Sequence, residues 1–517
     1  MFSLGRRNRL PQSRGAATIA RPCTVLGLAE SNRDLKTFAP LAPADTPSRL
    51  AHSWRAIVRA RLASLGMDRS WRGRMTASQI RKNIAWKTLG MVVEKGLRLV
   101  QIILIARALG TRVYGQYTYA VAIGLLCVQI TDMGLGLFLT REIARSDLPP
   151  PRLVGQVLTF KAVLAVGYLL LMAGLTWWHF LDPYAGREIV HRHHASAVAF
   201  AIAFAGLSAL ATSAIEVIWQ VFRGIQRLEL EARSGAFVAG VQLAFVFTAL
   251  ELVHHDDPQF TDKPLAMVIV AAAMAVAGIL GAIHAYRLML QVVTPEFGWS
   301  GAMLSRFRRE VLPLGLAIVA SLIYFKIDVP MLRALRGDEE TGVYNAAYKL
   351  LENLSVIPSI LMAATFPALS RTVVEAPARA IALHRNTLLV LIGAGLAAGV
   401  VMVTIPGFLI NLLYGKAFSA SVAVLIALAP CAVLTFVNYL ETHMLVALGL
   451  VKQQMAFAIA LIGVNVGANY WLIPRLGGVG AALGTAVTEV VLLLFCAPLV
   501  HRQLRLRLAQ FNEAKPG

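Results

Sequence analysis

The first apolar stretch of this chain is long enough to cross a lipid bilayer, yet it carries charges that an ordinary membrane helix lacks. It covers about residues 84–109 and includes Lys87, Glu94, Lys95 and Arg98. At about 100° per residue, a helix brings most of these side chains onto one line. A charge at mid-bilayer costs about 3 kcal/mol and is tolerated where it faces a bundle interior or a watery cavity. The sequence therefore predicts that this helix lines a polar path. The stripe consists of Lys87, Met91, Glu94, Arg98 and Gln101.

Apolar stretches of similar length recur along the rest of the chain. With 57 % hydrophobic and 15 % charged residues, the composition excludes a soluble protein of 517 residues. A helix of about 20 residues crosses the ~30 Å of bilayer hydrocarbon. We therefore predict an all-α polytopic membrane protein with twelve transmembrane helices. The expected spans are 84–109, 114–140, 153–178, 195–222, 234–253, 265–290, 310–335, 340–367, 386–413, 419–447, 451–473 and 477–500.

The net charge of +21 is distributed as membrane topology requires, which argues against a nucleic-acid partner. Residues 1–82 hold sixteen Lys or Arg against four acids, and a basic leader stays on the cytoplasmic side by the positive-inside rule. The later loops alternate between arginine-rich and acidic, and the tail carries Arg502, Arg505 and Arg507. Both termini are predicted to be cytoplasmic.

Residues 1–80 are expected to form a basic cytoplasmic arm without a folded core, because they lack apolar periodicity. They contain no convincing signal peptide. Two alternatives stay open. Met67 or Met75 is the native start, in which case residues 1–66 or 1–74 do not belong to the native protein. Alternatively, residues 54–65 form an amphipathic helix on anionic lipid.

A short pattern in the first half of the chain recurs in the second half at an offset of about 226 residues. Arg107-Ala-Leu-Gly110 followed by Gly115-Gln-Tyr corresponds to Arg333-Ala-Leu335 and Gly337 followed by Gly342-Val-Tyr. The repeat predicts two six-helix lobes of parallel topology with a substrate path between them. We place the first lobe at residues 81–295, the second lobe at residues 296–502 and a cytoplasmic tail at residues 503–517.

Charged side chains recur inside the later spans in numbers that exceed what helix packing needs. They indicate a central cavity, partly cationic, for an anionic substrate such as a lipid pyrophosphate. In the alternative, Glu94 with Arg98 and Lys349 with Glu352 pair at helical spacing and only neutralise one another. The candidate cavity residues are Lys87, Glu94, Arg98, Asp132, Lys161, Lys326, Asp328, Lys349 and Glu352.

No motif indicates an enzyme or a bound cofactor. The Walker loop, the helical His-Glu-x-x-His and the Gly-x-Ser-x-Gly patterns are absent from the sequence, which disfavours ATP-driven transport within this chain and hydrolysis. His179, His191, His193 and His194 are clustered, but their spacing without acidic or thiol partners is unspecific for a metal. We expect no cofactor, no metal and no catalysis, with H+ or Na+ as the candidate coupling ion.

Short motifs occur in a fixed order from about residue 80 to residue 490. The motifs are Gly115-Gln-Tyr-Thr-Tyr-Ala120, Asp132-Met-Gly-Leu-Gly136, Thr140-Arg-Glu-Ile-Ala144, Tyr324-Phe-Lys-Ile-Asp328, Gly342-Val-Tyr-Asn-Ala-Ala-Tyr-Lys349, Phe366-Pro-Ala-Leu-Ser-Arg371, Leu413-Tyr-Gly415 with Phe418, and Leu472-Ile-Pro474 with Gly480-Ala-Ala482. In this ordered set, the chain resembles the polysaccharide-biosynthesis flippases of the multidrug/oligosaccharidyl-lipid/polysaccharide exporter superfamily, which move polyprenyl-linked oligosaccharides.

The resemblance implies two six-helix lobes, V-shaped in section, that expose a central cavity alternately to the cytoplasm and the periplasm. The implied substrate is an undecaprenyl-pyrophosphate-linked repeat unit for O-antigen, capsule or exopolysaccharide. It is carried through the lipid of the bacterial inner membrane and passed to a polysaccharide polymerase.

In this family, charged residues of the first lobe are thought to meet the pyrophosphate and the sugars, which agrees with Lys87, Arg98 and Lys161. We expect these three cations to hold the anion. Asp132, Glu94 or Asp328 is expected to tune them or to carry a coupling proton. The chain departs from the family in its long basic arm and in the dense charge of its first span.

Three other functions compete. A drug or metabolite exporter of the same superfamily, driven by Na+ or H+, predicts an acidic rather than a basic cavity. A lipid II flippase is disfavoured because such relatives usually have more spans than this chain. A scaffold without transport activity would leave the intramembrane charges as an unexplained cost.

Overall fold

A computed structural model of the chain describes residues 77–145, 151–181, 189–256 and 263–513. Within these residues the backbone is almost entirely helical and contains no strand. The expected all-helical architecture is confirmed. Most of the basic arm, the two alternative start sites and the amphipathic segment at residues 54–65 lie outside the described residues.

The first half of the molecule consists of long helices in which the first helix packs against the fourth, fifth and sixth. Apolar side chains also cover the outer surface of the first half. Leu170 and Trp178, for example, are each 70 % exposed, as expected for a surface that faces lipid. The helices are α1 (Ala77–Asp132), α2 (Leu135–Arg145), α3 (Pro151–Phe180), α4 (Ile189–Gly224), α5 (Leu228–Asp256) and α6 (Lys263–Leu290).

The second half contains more helices, because several of its spans are broken. Pro377 and Pro406 lie in the first turn of their helices, where a missing N–H costs no intrahelical hydrogen bond. The elements are α7 (Gly301–Arg306), a π-helical turn (Phe307–Val311), α8 (Leu312–Lys326), α9 (Asp328–Arg336), α10 (Asp338–Leu354), α11 (Val356–Glu375), α12 (Pro377–Thr404), α13 (Pro406–Tyr414), a 3-10 turn (Lys416–Phe418), α14 (Ser421–Ala447) and α15 (Val451–Glu513).

The two halves bend their first helix pair in the same way. Gly110 has φ 72° and ψ 177° inside α1, and Gly337 has φ 88° and ψ −175° between α9 and α10. Backbone with such a positive φ favours glycine, which has no Cβ. These glycines occupy equivalent positions in the sequence repeat, so the repeat extends to backbone conformation. The lobe boundary at residue 295 stays a prediction.

Among the described residues, eight helices are long and apolar enough to cross a membrane, or nine if the bent pair of α1 and α2 is one span. Two of the longest helices change direction inside, α1 at Gly110 and α15 at Gly477. The last helix, α15, covers two of the spans expected from the sequence, and α1 covers one and most of a second, which continues into α2. The structure is therefore compatible with twelve spans, and that count stays a prediction.

Buried apolar side chains form three clusters. One lies mainly in the first half but includes Phe307 and Val311 of the π-helical turn, one lies within the second half, and one joins the halves. The joining cluster contains aromatic rings from α1 and the region around α13. The ring of Phe418 lies 5.8 Å from that of Tyr114 and 5.6 Å from that of Tyr414. Aromatic pairs of this kind contribute about 1 kcal/mol each beyond their burial. The two halves are therefore held together by a packed core around Tyr114 and Phe418.

Candidate substrate cavity

A cavity of about 290 Å³ lies between the two halves, and we call it the central cavity. Its walls come from α1, α4, α5 and α6 of the first half and from α8, α9 and α10 of the second half. Four cations face a single carboxylate there. The charged lining residues are Lys95, Arg98, Lys326, Lys349 and Glu352. The neutral polar ones are Gln101, Thr118, Ser208, Thr212, Gln242, Asn345 and Asn353, with the phenols Tyr114 and Tyr117.

A second cavity of about 360 Å³ lies nearer the beginning of α1. Both halves line it, and its charges are balanced. Lys95 borders the second cavity as well as the central cavity, so the two spaces adjoin at this residue. The charged residues around the second cavity are Lys87, Lys95, Arg223, Glu94, Glu216 and Glu231.

The polar stripe of α1 follows these two spaces. Lys87, Met91 and Glu94 line the second cavity, and Arg98 and Gln101 line the central cavity. The helix therefore carries its polar face along a continuous series of cavities. The recurrence of mostly polar residues every three or four positions indicated this polar face of the helix, because helical periodicity is a local property of the chain.

Ion pairs within the first half neutralise most of the second cavity. Glu231 forms an ion pair with Lys87 and also accepts a hydrogen bond of 2.7 Å from Arg223. Arg223 donates a second bond, of 2.6 Å, to Glu216. A carboxylate that is nearly buried is tolerated only when it is paired in this way. Lys87 is therefore committed to a structural network and is not a free cation of the central cavity.

Lys95 is the exception among the cavity cations. Its side chain is exposed, and none of the residues that the structure describes forms an ion pair with it. It was not among the site residues predicted from the sequence, because it lies about 100° around the helix from Glu94 and off the stripe. The sequence feature that could have indicated Lys95 as a cavity residue is its position in the same helical turn as Glu94 and Arg98.

Arg98 lies 3.1 Å from Glu94 through its Nε atom. The contact is an ion pair without hydrogen-bond alignment, and this Nε has no hydrogen-bond partner among the described residues. The expected pairing of these two residues along the helix is therefore present. It leaves donor capacity of Arg98 at the wall of the central cavity.

The second half supplies a cluster of two lysines and one glutamate. Glu352 accepts hydrogen bonds from Lys326 at 3.0 Å and from Lys349 at 2.7 Å. Lys326 ends α8, whereas the other two residues belong to α10. The pair expected at helical spacing, Lys349 with Glu352, is present, and Lys326 joins it from another helix. The cluster keeps one excess positive charge at the cavity wall.

Two predicted site residues form a separate pair away from the central cavity. Lys161 is 5 % exposed, and its ammonium donates to Asp132 at 2.7 Å and to Ser213 at 2.6 Å. Lys161 borders a separate, largely apolar groove formed by α3, α4 and α6. The structure thus places Lys161 and Asp132 outside both cavities.

Asp328 is also outside the central cavity. It is 2 % exposed, accepts a hydrogen bond from the Tyr344 hydroxyl and caps the Val329 N–H at 3.0 Å. This carboxylate therefore links the first turn of α9 to α10. Within the described residues, no group of three or more His, Cys, Asp or Glu side chains is arranged to hold a metal ion. The side chains of His191, His193 and His194 lie outside the described residues.

A helical membrane protein with a charged cavity between two similarly bent halves has the architecture of a transporter for polar substrates. The chain belongs to the family described as polysaccharide biosynthesis protein, whose family model matches residues 80–373. A Haloferax volcanii protein named as the flippase AglR is 23 % identical over 425 residues, covering 80 % of each chain. An Escherichia coli K12 protein named as an O-antigen transporter is 22 % identical over 419 residues, covering 76 % of this chain and 93 % of its own.

Solved structures share the fold. An inward-facing multidrug resistance transporter of the MATE family aligns with a TM-score of 0.56 at 16 % identity, over 84 % of this chain and all of its own. The lipid II flippase MurJ, in an inward closed conformation, aligns with a TM-score of 0.56 at 11 % identity, over 83 % of this chain and 93 % of its own. At these identities the likeness shows the fold alone.

Proposed function

We propose that the protein is a flippase that carries an undecaprenyl-pyrophosphate-linked oligosaccharide across the bacterial inner membrane by alternating access. The observation that carries the proposal is the central cavity with four cations and one carboxylate. Without a cavity, a pyrophosphate and its sugars would lose their hydrogen-bond partners in hydrocarbon, at several kcal/mol per group. Fixed cations and amides replace that hydration, while the polyprenyl tail stays in lipid.

Lys95, Arg98, Lys326 and Lys349 would hold the pyrophosphate. This set replaces the set expected from the sequence, because neither Lys87 nor Lys161 lines the central cavity. Lys87 lines the second cavity, where it pairs with Glu231, and Lys161 pairs with Asp132 outside both cavities. The volume of about 290 Å³ is at the lower end for small-molecule sites. In this conformation it suits a pyrophosphate with its adjoining sugar rather than a whole oligosaccharide.

The remaining parts of the proposal follow from topology and family. Both termini would be cytoplasmic, as the positive-inside rule predicts, and the product would pass to a polysaccharide polymerase outside. H+ or Na+ would drive the cycle. An exporter of cationic drugs is the rival, and it would need a cavity of the opposite sign. The one carboxylate of the central cavity lies between two lysines, which supports an anionic substrate instead.

The experiment is complementation of a strain that lacks this gene, with surface polysaccharide as the readout. Lys95→Gln and Arg98→Gln should each lower polymer production about tenfold at normal expression, because each removes a cation that bonds the anion. Lys452→Gln is the matched control, since Lys452 is exposed and lines neither cavity. Wild-type polymer levels in both cavity variants would exclude the proposed substrate. Resistance to cationic dyes on overexpression would favour the exporter.

A further inference from the structure

Two buried neutral polar atoms without partners belong to residues that line the central cavity. The Tyr114 hydroxyl and the Gln242 Oε1 atom have no hydrogen-bond partner among the described residues. Each of these side chains is only 1 % exposed, and each lines the cavity. An unsatisfied buried polar group costs about 1–3 kcal/mol, so such groups are rare in folded proteins without a ligand or water to serve them.

Their chemistry differs from that of the cation cluster. A phenol donates and accepts, and a side-chain amide offers both a carbonyl oxygen and two N–H donors. Neither is charged, so neither is a natural partner for a phosphate in preference to the four cations. Sugar hydroxyls and acetamido groups combine donor and acceptor atoms in the same way. Tyr117 beside Tyr114, with ring centroids 6.5 Å apart, adds an apolar face to this part of the cavity.

The order of groups along the cavity also fits. Lys95 and Arg98 lie about one to three turns before Gln101 and Ile105 on α1, and Ile105 is about 10 Å from Arg98 along the helix axis. Along the α1 wall of the cavity, cations therefore precede neutral groups. A pyrophosphate followed by a sugar presents its groups in the same order.

We propose that Tyr114 and Gln242 form a subsite for the sugar attached to the pyrophosphate. The Tyr114 hydroxyl donates to a sugar oxygen, and the Gln242 carbonyl oxygen accepts from a sugar hydroxyl or an acetamido N–H. This subsite rests on the proposed function, in which the cations hold the pyrophosphate. It makes the protein selective for a glycosylated lipid over the same lipid pyrophosphate without sugar.

The test compares two probes, undecaprenyl pyrophosphate and the same lipid carrying one N-acetylhexosamine, with purified full-length protein. Tyr114→Phe and Gln242→Met should each raise the Kd for the sugar-bearing probe about fivefold to tenfold, since each removes one hydrogen bond. The Kd for the sugar-free probe should change less than twofold. Tyr414→Phe is the matched control, because its hydroxyl is also buried without a partner among the described residues but does not line the cavity.

Thermal unfolding without ligand separates a binding role from a structural one. Tyr114→Phe should unfold at the wild-type temperature or above, because the hydroxyl makes no protein hydrogen bond to lose. A lower unfolding temperature in this variant, equal weakening of both probes, or unchanged binding of the sugar-bearing probe would each overturn the subsite. If the wild type bound neither probe, the proposed function itself would fail.

Discussion

Gly115 of α1 and Gly342 of α10 each pack directly on the backbone of the other helix. A Cβ on Gly115 would overlap the carbonyl oxygen of Asp338, and a Cβ on Gly342 would overlap the carbonyl oxygen of Thr111. The contacts are reciprocal, since the two glycines, like Thr111 and Asp338, occupy equivalent positions in the repeat. The halves therefore meet at this end through a pair of small residues that lets the helix backbones touch.

Gly115→Ala should destabilise the protein by about 1–3 kcal/mol, because even a methyl group forces the two helices apart. Gly167→Ala is the control, since no atom lies within 4 Å of its added Cβ and alanine is otherwise the better helix residue. Thermal unfolding in detergent measures both. Equal unfolding temperatures for the two variants would show that α1 and α10 do not need this close approach.

Glu352→Gln should lower the Kd for inorganic pyrophosphate about tenfold, because the carboxylate competes with the ligand for Lys326 and Lys349. Isothermal titration at fixed ionic strength gives the Kd. Glu375→Gln removes an exposed acid outside the cavities and should leave the Kd unchanged. Weaker binding in Glu352→Gln would mean that Glu352 helps to hold the anion instead of competing with it for the two lysines.

Asp132→Asn should destabilise the first half by roughly 3 kcal/mol, since it leaves the nearly buried Lys161 ammonium without its counter-charge. The double variant Asp132→Asn with Lys161→Met should recover most of that loss, because it removes the uncompensated charge as well. Unfolding experiments on the two singles and the double form the required cycle. Additive effects would indicate that the pair is not energetically coupled.

Asp338→Asn should loosen the contact between α1 and α10. Asp338 accepts hydrogen bonds from Gln116 at 2.8 Å and from Arg333 at 2.6 Å, and it thereby links the two halves. Opening of the central cavity is measured with an Asn345→Cys variant, because Asn345 lies in the cavity wall. The rate at which a membrane-impermeant maleimide labels the new thiol reports that opening. The four native cysteines are replaced in every variant of this experiment, so that the maleimide reacts with the new thiol alone.

Labelling at that cysteine should become severalfold faster in Asp338→Asn, because two charge-assisted hydrogen bonds are weakened. Glu339→Gln changes an exposed neighbouring acid and should label at the original rate. Identical labelling of both variants would argue against Asp338 as part of the closure at this end.

Much of the fold was predictable because hydropathy and helical periodicity are local. The expected span 84–109 corresponds to the first arm of α1, and its polar stripe lines both cavities. The expected span 114–140 starts in the second arm of α1 and continues across a bend into α2. The repeat motif also marked the glycines at which each half bends. These features depend on residues a few positions apart, so they can be derived without knowing which helices meet.

The cation set of the cavity could not be predicted in the same way. Lys161 and Lys95 are both lysines in apolar stretches, yet one pairs with Asp132 outside the cavities and the other lines both cavities without an ion pair among the described residues. The sequence by itself determined a membrane protein of helical spans with polar faces and an internal repeat. Only the tertiary structure decided which charges are neutralised, because a lysine's partner is set by helices that are distant in the chain and adjacent in space.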